Sequence, residues 1–273
     1  MEQPPISSRQ IYLNSKDGYR INPSYTSDIF FFFNDVIAPP LNVVMEISVV
    51  SASIPMSYNI INSTNNLLVY NTNQTFTIPV GNYNALELAS TIQNGIGILS
   101  SVAYSSRFNK YTFASTQQFT VEVGSTCLSL LGFSKAQHSS NINVLTSDSI
   151  VNLSGISSIY VHSSLLTNNL DSRTKTLSNI LCRIPVDTAS YGILQYINNN
   201  NFKCTVNDKS IDLLRIRLED DDTNLVQLNG QEWVITLQVD FIYKPSDYTL
   251  HLCNQLPNVF DPATENDTTL ASF

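Results

Sequence analysis

The chain has 273 residues, 42% of them hydrophobic and only 13% charged, with 14 Lys+Arg against 22 Asp+Glu and a formal net charge of −8. This length can bury a large core in one β domain or two smaller ones, while the acidic balance and the lack of any Lys/Arg cluster argue against a direct nucleic-acid role. No apolar run approaches the roughly 20 residues of a membrane span, and Met1 to Pro5 carries no basic-then-apolar signal pattern.

Residues 1–10 read as a polar arm, followed by a short strand from Ile11 to Asn14 closed by the turn Lys16-Asp17-Gly18. Ile29 to Val36 holds four consecutive phenylalanines, Phe30 to Phe33, so apolar side chains point both ways. The expectation is a core strand covered on both faces, in preference to an exposed patch, with an oligomer contact as the other possible cover. Asn42 to Ile54 is a long strand whose apolar parity switches after Val50, which predicts a bulge there.

From Leu67 the texture changes. Leu67–Tyr70 and Thr75–Pro79 predict paired short strands. Asn84 with Glu87 three residues later has capping-box spacing, and Ala85, Leu88, Ala89, Ile92 and Ile96 repeat at helical spacing, with Gly95 and Gly97 expected to end the helix. Val102–Tyr104 and Tyr111–Phe113 form a hairpin pattern, and Phe119, Val121 and Val123 mark another strand. Cys127–Leu131 predicts one helical turn stopped by Gly132, with Phe133 placed for a Schellman contact.

Strands resume after the polar segment 138–148, at Ile156–Leu166, Leu177–Val186, Tyr191–Ile197, Phe202–Val206 and Ile211–Leu218. The clearest is Glu232–Tyr243, where Trp233, Ile235, Leu237, Val239, Phe241 and Tyr243 share one face and Thr236, Gln238 and Asp240 the wetter one. Residues 246–273 read as a polar C-terminal arm. The expected fold is therefore all-β: an eight-stranded antiparallel single jelly roll, a β-sandwich, with a small inserted α+β domain. The expected divisions are 1–66 with 138–245 as a discontinuous base, 67–137 as the insertion, and 246–273 as the tail.

Chemistry is sparse. His138, His162 and His251 lack any zinc spacing, and His162 reads as a packed or interfacial imidazole. Glu219–Asp222 could bind calcium but reads as a solvated acidic loop. Ser154 lacks a Gly-x-Ser-x-Gly setting, and Gly81 lacks any phosphate-loop pattern. Cys127, Cys182, Cys204 and Cys253 are dispersed and read as buried thiols in a reducing compartment. The sequons at Asn62, Asn73, Asn152 and Asn266 are expected by chance in so Asn-rich a chain, and no function is assigned to them. No catalytic, cofactor or metal residue is named, and the chain reads as a non-enzyme.

Several segments in order resemble one family. They are Ser53-Ile54-Pro55-Met56-Ser57-Tyr58-Asn59, Phe76-Thr77-Ile78-Pro79-Val80-Gly81-Asn82-Tyr83, Leu131-Gly132-Phe133, Ile159-Tyr160-Val161-His162-Ser163, Ile184-Pro185-Val186 and Leu228-Asn229-Gly230-Gln231-Glu232-Trp233. This order resembles the penton, or minor capsid, proteins of Mavirus-group virophages and polinton-like viruses. The resemblance implies a jelly-roll homopentamer at the fivefold vertices of an icosahedral virion, made in the host cytoplasm. It implies contacts with a double-jelly-roll major capsid protein, and with other minor capsid proteins or a host receptor through the insertion. It implies no cofactor and names no interface residue. The alternatives are an attachment or glycan-binding jelly roll, and an interior or cement capsid protein.

Overall fold

A computed structural model gives the fold and describes residues 5–134, 138–139, 143–165, 167 and 169–243. The tail 246–273, residues 1–4 of the expected arm, His251, Cys253, Asn266 and the His138 side chain lie outside the described residues, while Ser7–Gln10, expected in the arm, belong to a strand paired within the chain. In chain order the first strands are β1 (Ser7–Asn14), β2 (Tyr19–Arg20), β3 (Asp28–Ile37) and β4 (Val43–Pro55). A middle group follows: β5 (Leu67–Tyr70), β6 (Gln74–Thr77), α1 (Ala85–Gly95), β7 (Leu99–Ser105), β8 (Lys110–Ser115), β9 (Thr120–Val121), β10 (His138–Ser139) and β11 (Val144–Thr146). The last group is β12 (Ser158–Ser163), β13 (Asn169–Asp171), β14 (Thr176–Ser178), β15 (Ile180–Pro185), β16 (Ile193–Ile197), β17 (Cys204–Val206), β18 (Ile211–Glu219) and β19 (Val234–Tyr243).

Two antiparallel sheets dominate. One has the order β1-β19-β4-β16, with β17 also on β4; the other has the order β15-β12-β18-β3-β2. Their inner residues form one apolar cluster, with Ile11, Ile47, Leu237 and Val239 from the first sheet meeting Ile29, Val161, Ile184 and Ile216 from the second. The chain is therefore mostly β and antiparallel, as an all-β jelly-roll reading requires. Trp233 sits fully buried just ahead of β19; its indole N–H donates to Thr26 O at 2.6 Å and its ring meets Phe31 edge-on at 6.1 Å. Burying a side chain of this size contributes about 1.5–3 kcal/mol or more, and the satisfied indole N–H avoids the cost of an unpaired buried donor.

The middle group builds a second apolar cluster, from Ile61 to Val151, around α1 and two small sheets of orders β10-β9-β5-β6 and β11-β8-β7. The capping box on α1 is complete: Asn84 Oδ1 accepts from the Leu86 and Glu87 amides, and the Glu87 carboxylate accepts from the Asn84 amide. Leu88, Ala89 and Ile92 form its buried face. At Gly132 (φ +76) the Phe133 amide bonds Leu128 O at 2.8 Å and the Gly132 amide bonds Ser129 O at 3.3 Å, the two bonds of a Schellman ending. The bulge at Val50 is also present, because Thr236 pairs with Ser51 while Leu237 pairs with Val49.

Four expectations need correction. The outer face of β3 is not covered within the chain: Phe32 is 70% exposed, while Ile29 and Phe31 are buried. Helix α1 does not end on a left-handed glycine; its C-cap is Ile96 in extended conformation, and Gly95 is small because a Cβ there would lie 2.0 Å from the Phe76 ring. The segment 177–186 is not one strand, since it breaks at Asn179 into β14 and β15, and β14 pairs with β13 rather than joining the sandwich. Finally, Tyr243 is half-exposed, whereas Asp240, expected on the wetter face, is buried.

Candidate functional site

The densest grouping of charged side chains among the described residues lies where the β13–β14 hairpin meets the second sheet. Alternation puts Ile159 and Val161 of β12 into the sandwich core and turns Tyr160 and His162 the other way. Glu219 ends β18, which pairs with β12 at Tyr160. The hairpin brings Asp171 and, from its turn, Arg173 against them. Arg173 Nε lies 3.1 Å from Asp171 Oδ1, Arg173 Nη2 lies 2.9 Å from Asp171 Oδ2, and Arg173 Nη1 donates to Asp220 O at 2.8 Å. The guanidinium carbon lies 3.9 Å from the centre of the Tyr160 ring.

His162 joins both sides of this contact. Its Nδ1 is 3.0 Å from Asn179 Oδ1, and the Asn179 amide nitrogen is itself committed to Ser163 O. Its Nε2 lies 3.0 Å from Glu219 Oε2 and 3.1 Å from Arg173 Nη2. With Nδ1 donating to Asn179, a neutral ring accepts from Arg173 at Nε2, and a charged ring donates there to Glu219. Glu219 also pairs with Arg217 at 2.9 Å.

These contacts set the carboxyls. Hydrogen bonds from the Arg173 guanidinium hold the Asp171 carboxyl below its ordinary range, against the opposing effect of burial. For Glu219, burial acts to raise the carboxyl, and the His162 bond with the charges of Arg217 and Arg173 outweighs it and keeps the group low. Asp240 follows the same pattern on the first sheet, where Lys203, Ser8 and Gln238 outweigh burial.

The cluster is built to hold, not to react. His162, Asp171 and Glu219 are all buried, and every nitrogen and carboxylate of the group is committed to a partner in the fold. Hence the cluster's chemistry is that of an anchor for the hairpin. The bland reading of His162 as a packed imidazole fits its surroundings, but no sequence signal pointed to its partners, which lie 11 to 57 positions away.

The remaining sequence candidates are dispersed. Ser154 Oγ donates to Asn152 Oδ1 at 2.6 Å in a local turn. The Gly81 amide bonds Ile61 O at 2.9 Å, and Asn84 occupies the first amides of α1, so no anion cradle remains there. In the acidic run, Asp221 Oδ2 accepts from the Ser157 and Ser158 amides, Asp220 Oδ1 accepts from those of Asp222 and Asn224, and Glu219 turns toward His162; the carboxylates do not converge. Among the described residues, no group of three or more His, Cys, Asp or Glu side chains is placed to hold a metal ion, and no helix is long and apolar enough to cross a membrane. Cys127, Cys182 and Cys204 are free and buried, and burial pushes the Cys127 thiol up to about 12.

Apolar side chains are exposed on several strands. Phe32 of β3 pairs in register with Leu213 of β18, and Tyr19 of β2 pairs with Phe30. Tyr12 of β1 and Ile193 and Ile197 of β16 also face out. A shallow groove at the β15–β16 end is lined by Cys182, Tyr196, Phe202 and Asn199.

No family model and no curated protein matches this chain. The chain is similar to the mavirus penton protein. Its crystal structure superposes with a TM-score of 0.49 at 14% identity, covering 86% of this chain and 100% of that one. The Sputnik virophage structure solved by cryo-EM is also similar, with a TM-score of 0.39 at 11% identity, covering 89% of this chain and 99% of that one.

Proposed function

We propose that this chain is a structural capsid protein: an eight-stranded single jelly roll that forms homopentamers at the fivefold vertices of an icosahedral virion. One observation carries the proposal. Four of the six segments that resemble virophage and polinton-like pentons fall in order along one two-sheet sandwich, and the other two, Phe76–Tyr83 and Leu131–Phe133, fall in the middle unit between β4 and β12. Ser53–Asn59 leaves β4, Ile159–Ser163 lies within β12, Ile184–Val186 closes β15, and Leu228–Trp233 leads into β19. The strands β1, β19, β4 and β16/β17 form one sheet and β15, β12, β18 and β3 the other, an order that supports the eight-stranded jelly-roll reading. Fold alone would not choose a function; exposed apolar faces such as Phe32 add support for a protein completed by contacts.

In this reading residues 67–137 form an insertion in the loop between β4 and β12. The separate apolar cluster, with members from Ile61 to Val151, supports it. The insertion is available to a host receptor or other minor capsid proteins, and the base to a double-jelly-roll major capsid protein. Of the segment 1–10 only the residues ahead of β1 are available as an arm, because Ser7–Gln10 pair with β19; these and 246–273 act as arms to neighbours, the site of action is the virion vertex after synthesis in host cytoplasm, and the chain is not an enzyme. Native mass spectrometry of the purified protein, with imaging of particles, tests this. The expected species is five times the 30.4 kDa chain mass, with density at the vertices. A chain that is monomeric and absent from particles refutes the proposal.

A further inference from the structure

The β13–β14 hairpin is folded inside out. Its inward side carries Asp171 and Arg173, anchored on His162, Glu219 and the Asp220 carbonyl. Its outward side carries Leu170 and Leu177, which are register partners and are 79% and 66% exposed. Folding in water selects the opposite arrangement, so charged groups held inside with leucines outside mark a surface that something else covers. The anchor matters here, because it holds the leucines on a rigid support instead of a free loop.

A second uncovered apolar surface lies elsewhere on the same chain. On β3 and β18, Phe32 and Leu213 are cross-strand partners facing outward, and Tyr19 of β2, 63% exposed, extends the patch past Phe30. On the β3–β18 face Arg215, over the Phe30 ring, is already paired with Asp28, and the charges next to the two leucines and to Phe32 and Leu213 are opposite in sign. Lys175 is exposed at the hairpin turn, and Asp212 and Asp35 are exposed beside Leu213 and Phe32. None of the three forms an ion pair among the described residues.

We propose that the β13–β14 hairpin of one copy docks on the β2–β3–β18 face of a second copy of this chain. Leu170 and Leu177 pack on Phe32, Leu213 and Tyr19, and Lys175 lies against Asp212 and Asp35. Two different surfaces of one chain meet, so the contact is heterologous and can repeat around a closed ring. This inference rests on the reading that the chain assembles with itself, and it supplies the residues that the sequence left unassigned.

The test measures self-association of the full chain by sedimentation across concentration. Leu177→Asp, Leu170→Asp and Phe32→Asp change exposed side chains, so circular dichroism and Tm stay near wild type while association weakens by at least about tenfold. Lys175→Glu also weakens association, and Asp212→Lys in the same chain restores it, a rescue that a merely structural role would not give. If wild type forms oligomers and all of these variants match it, the docking is overturned and the assembly reading stands. If wild type stays monomeric at every concentration, the docking is refuted; if it is also missing from purified particles, the assembly reading falls with it.

Discussion

Replacing Arg173 with alanine is the sharpest probe of the hairpin anchor. The side chain is 13% exposed and makes three hydrogen bonds to Asp171, one to the Asp220 carbonyl and one contact to His162, with its guanidinium over Tyr160. Removing it leaves Asp171 as a buried carboxylate without its cation. Breaking one side of a buried pair costs about 3–5 kcal/mol, and partial solvent access at Arg173 argues for the lower end, about 3 kcal/mol. Two outcomes are separable. If the hairpin is part of the cooperative unit, Tm falls by about 5 °C for a chain of this size. If it opens locally, Tm holds and amide exchange within 169–178 speeds up by roughly a hundredfold. Scanning calorimetry with hydrogen exchange by mass spectrometry reads both. A Tm within about 1 °C of wild type together with unchanged hairpin protection would falsify the anchor.

Acid should weaken the protein through the same cluster. Asp171 and Glu219 are held low in the folded state, so their contribution is complete above the unfolded carboxyl range of about 4 and is lost as pH falls through their lower folded values. Glu219→Gln should therefore flatten the fall of Tm between about pH 5 and pH 2; an unchanged slope would exclude Glu219 from it. Gly132→Ala should cost about 2 kcal/mol or more in urea denaturation, because φ is +76 and a Cβ would lie 2.6 Å from Ser149 O. Gly97→Ala, with nothing within 4 Å of the added Cβ, should stay within about 0.5 kcal/mol; equal effects would contradict the close-approach argument. Asn84→Ala should cost about 1 kcal/mol by removing the α1 cap, and no loss would mean that the cap adds nothing to folding.

Much of this fold is readable from neighbours in the chain. The alternation of Ile235, Leu237, Val239 and Phe241 names a strand with one buried face because side chains two apart share a side. The parity switch at Val50 names a bulge for the same reason, and Asn84 with Glu87 names a helix start because a capping box closes within three residues. Gly132 with Phe133 names a turn ending, since those hydrogen bonds span at most five residues. Each is a local pattern with a local cause, and the order of such patterns was enough to reach an all-β sandwich and a family resemblance.

Cover is different. Whether Phe32 is inside or outside depends on whether another layer lies over β3, and no residue near Phe32 carries that information. The same limit hid the burial of Asp240, which depends on Lys203 and Ser8, 37 and 232 positions away. It hid the break at Asn179, whose amide is taken up by His162 and Ser163, and with it the hairpin that turns its charges inward. The sequence by itself determined which segments are strands and which side of most of them is apolar, because those properties arise between residues a few positions apart. Only the tertiary structure decided which apolar sides remain uncovered and which charges are buried, because both depend on distant segments brought together across two sheets.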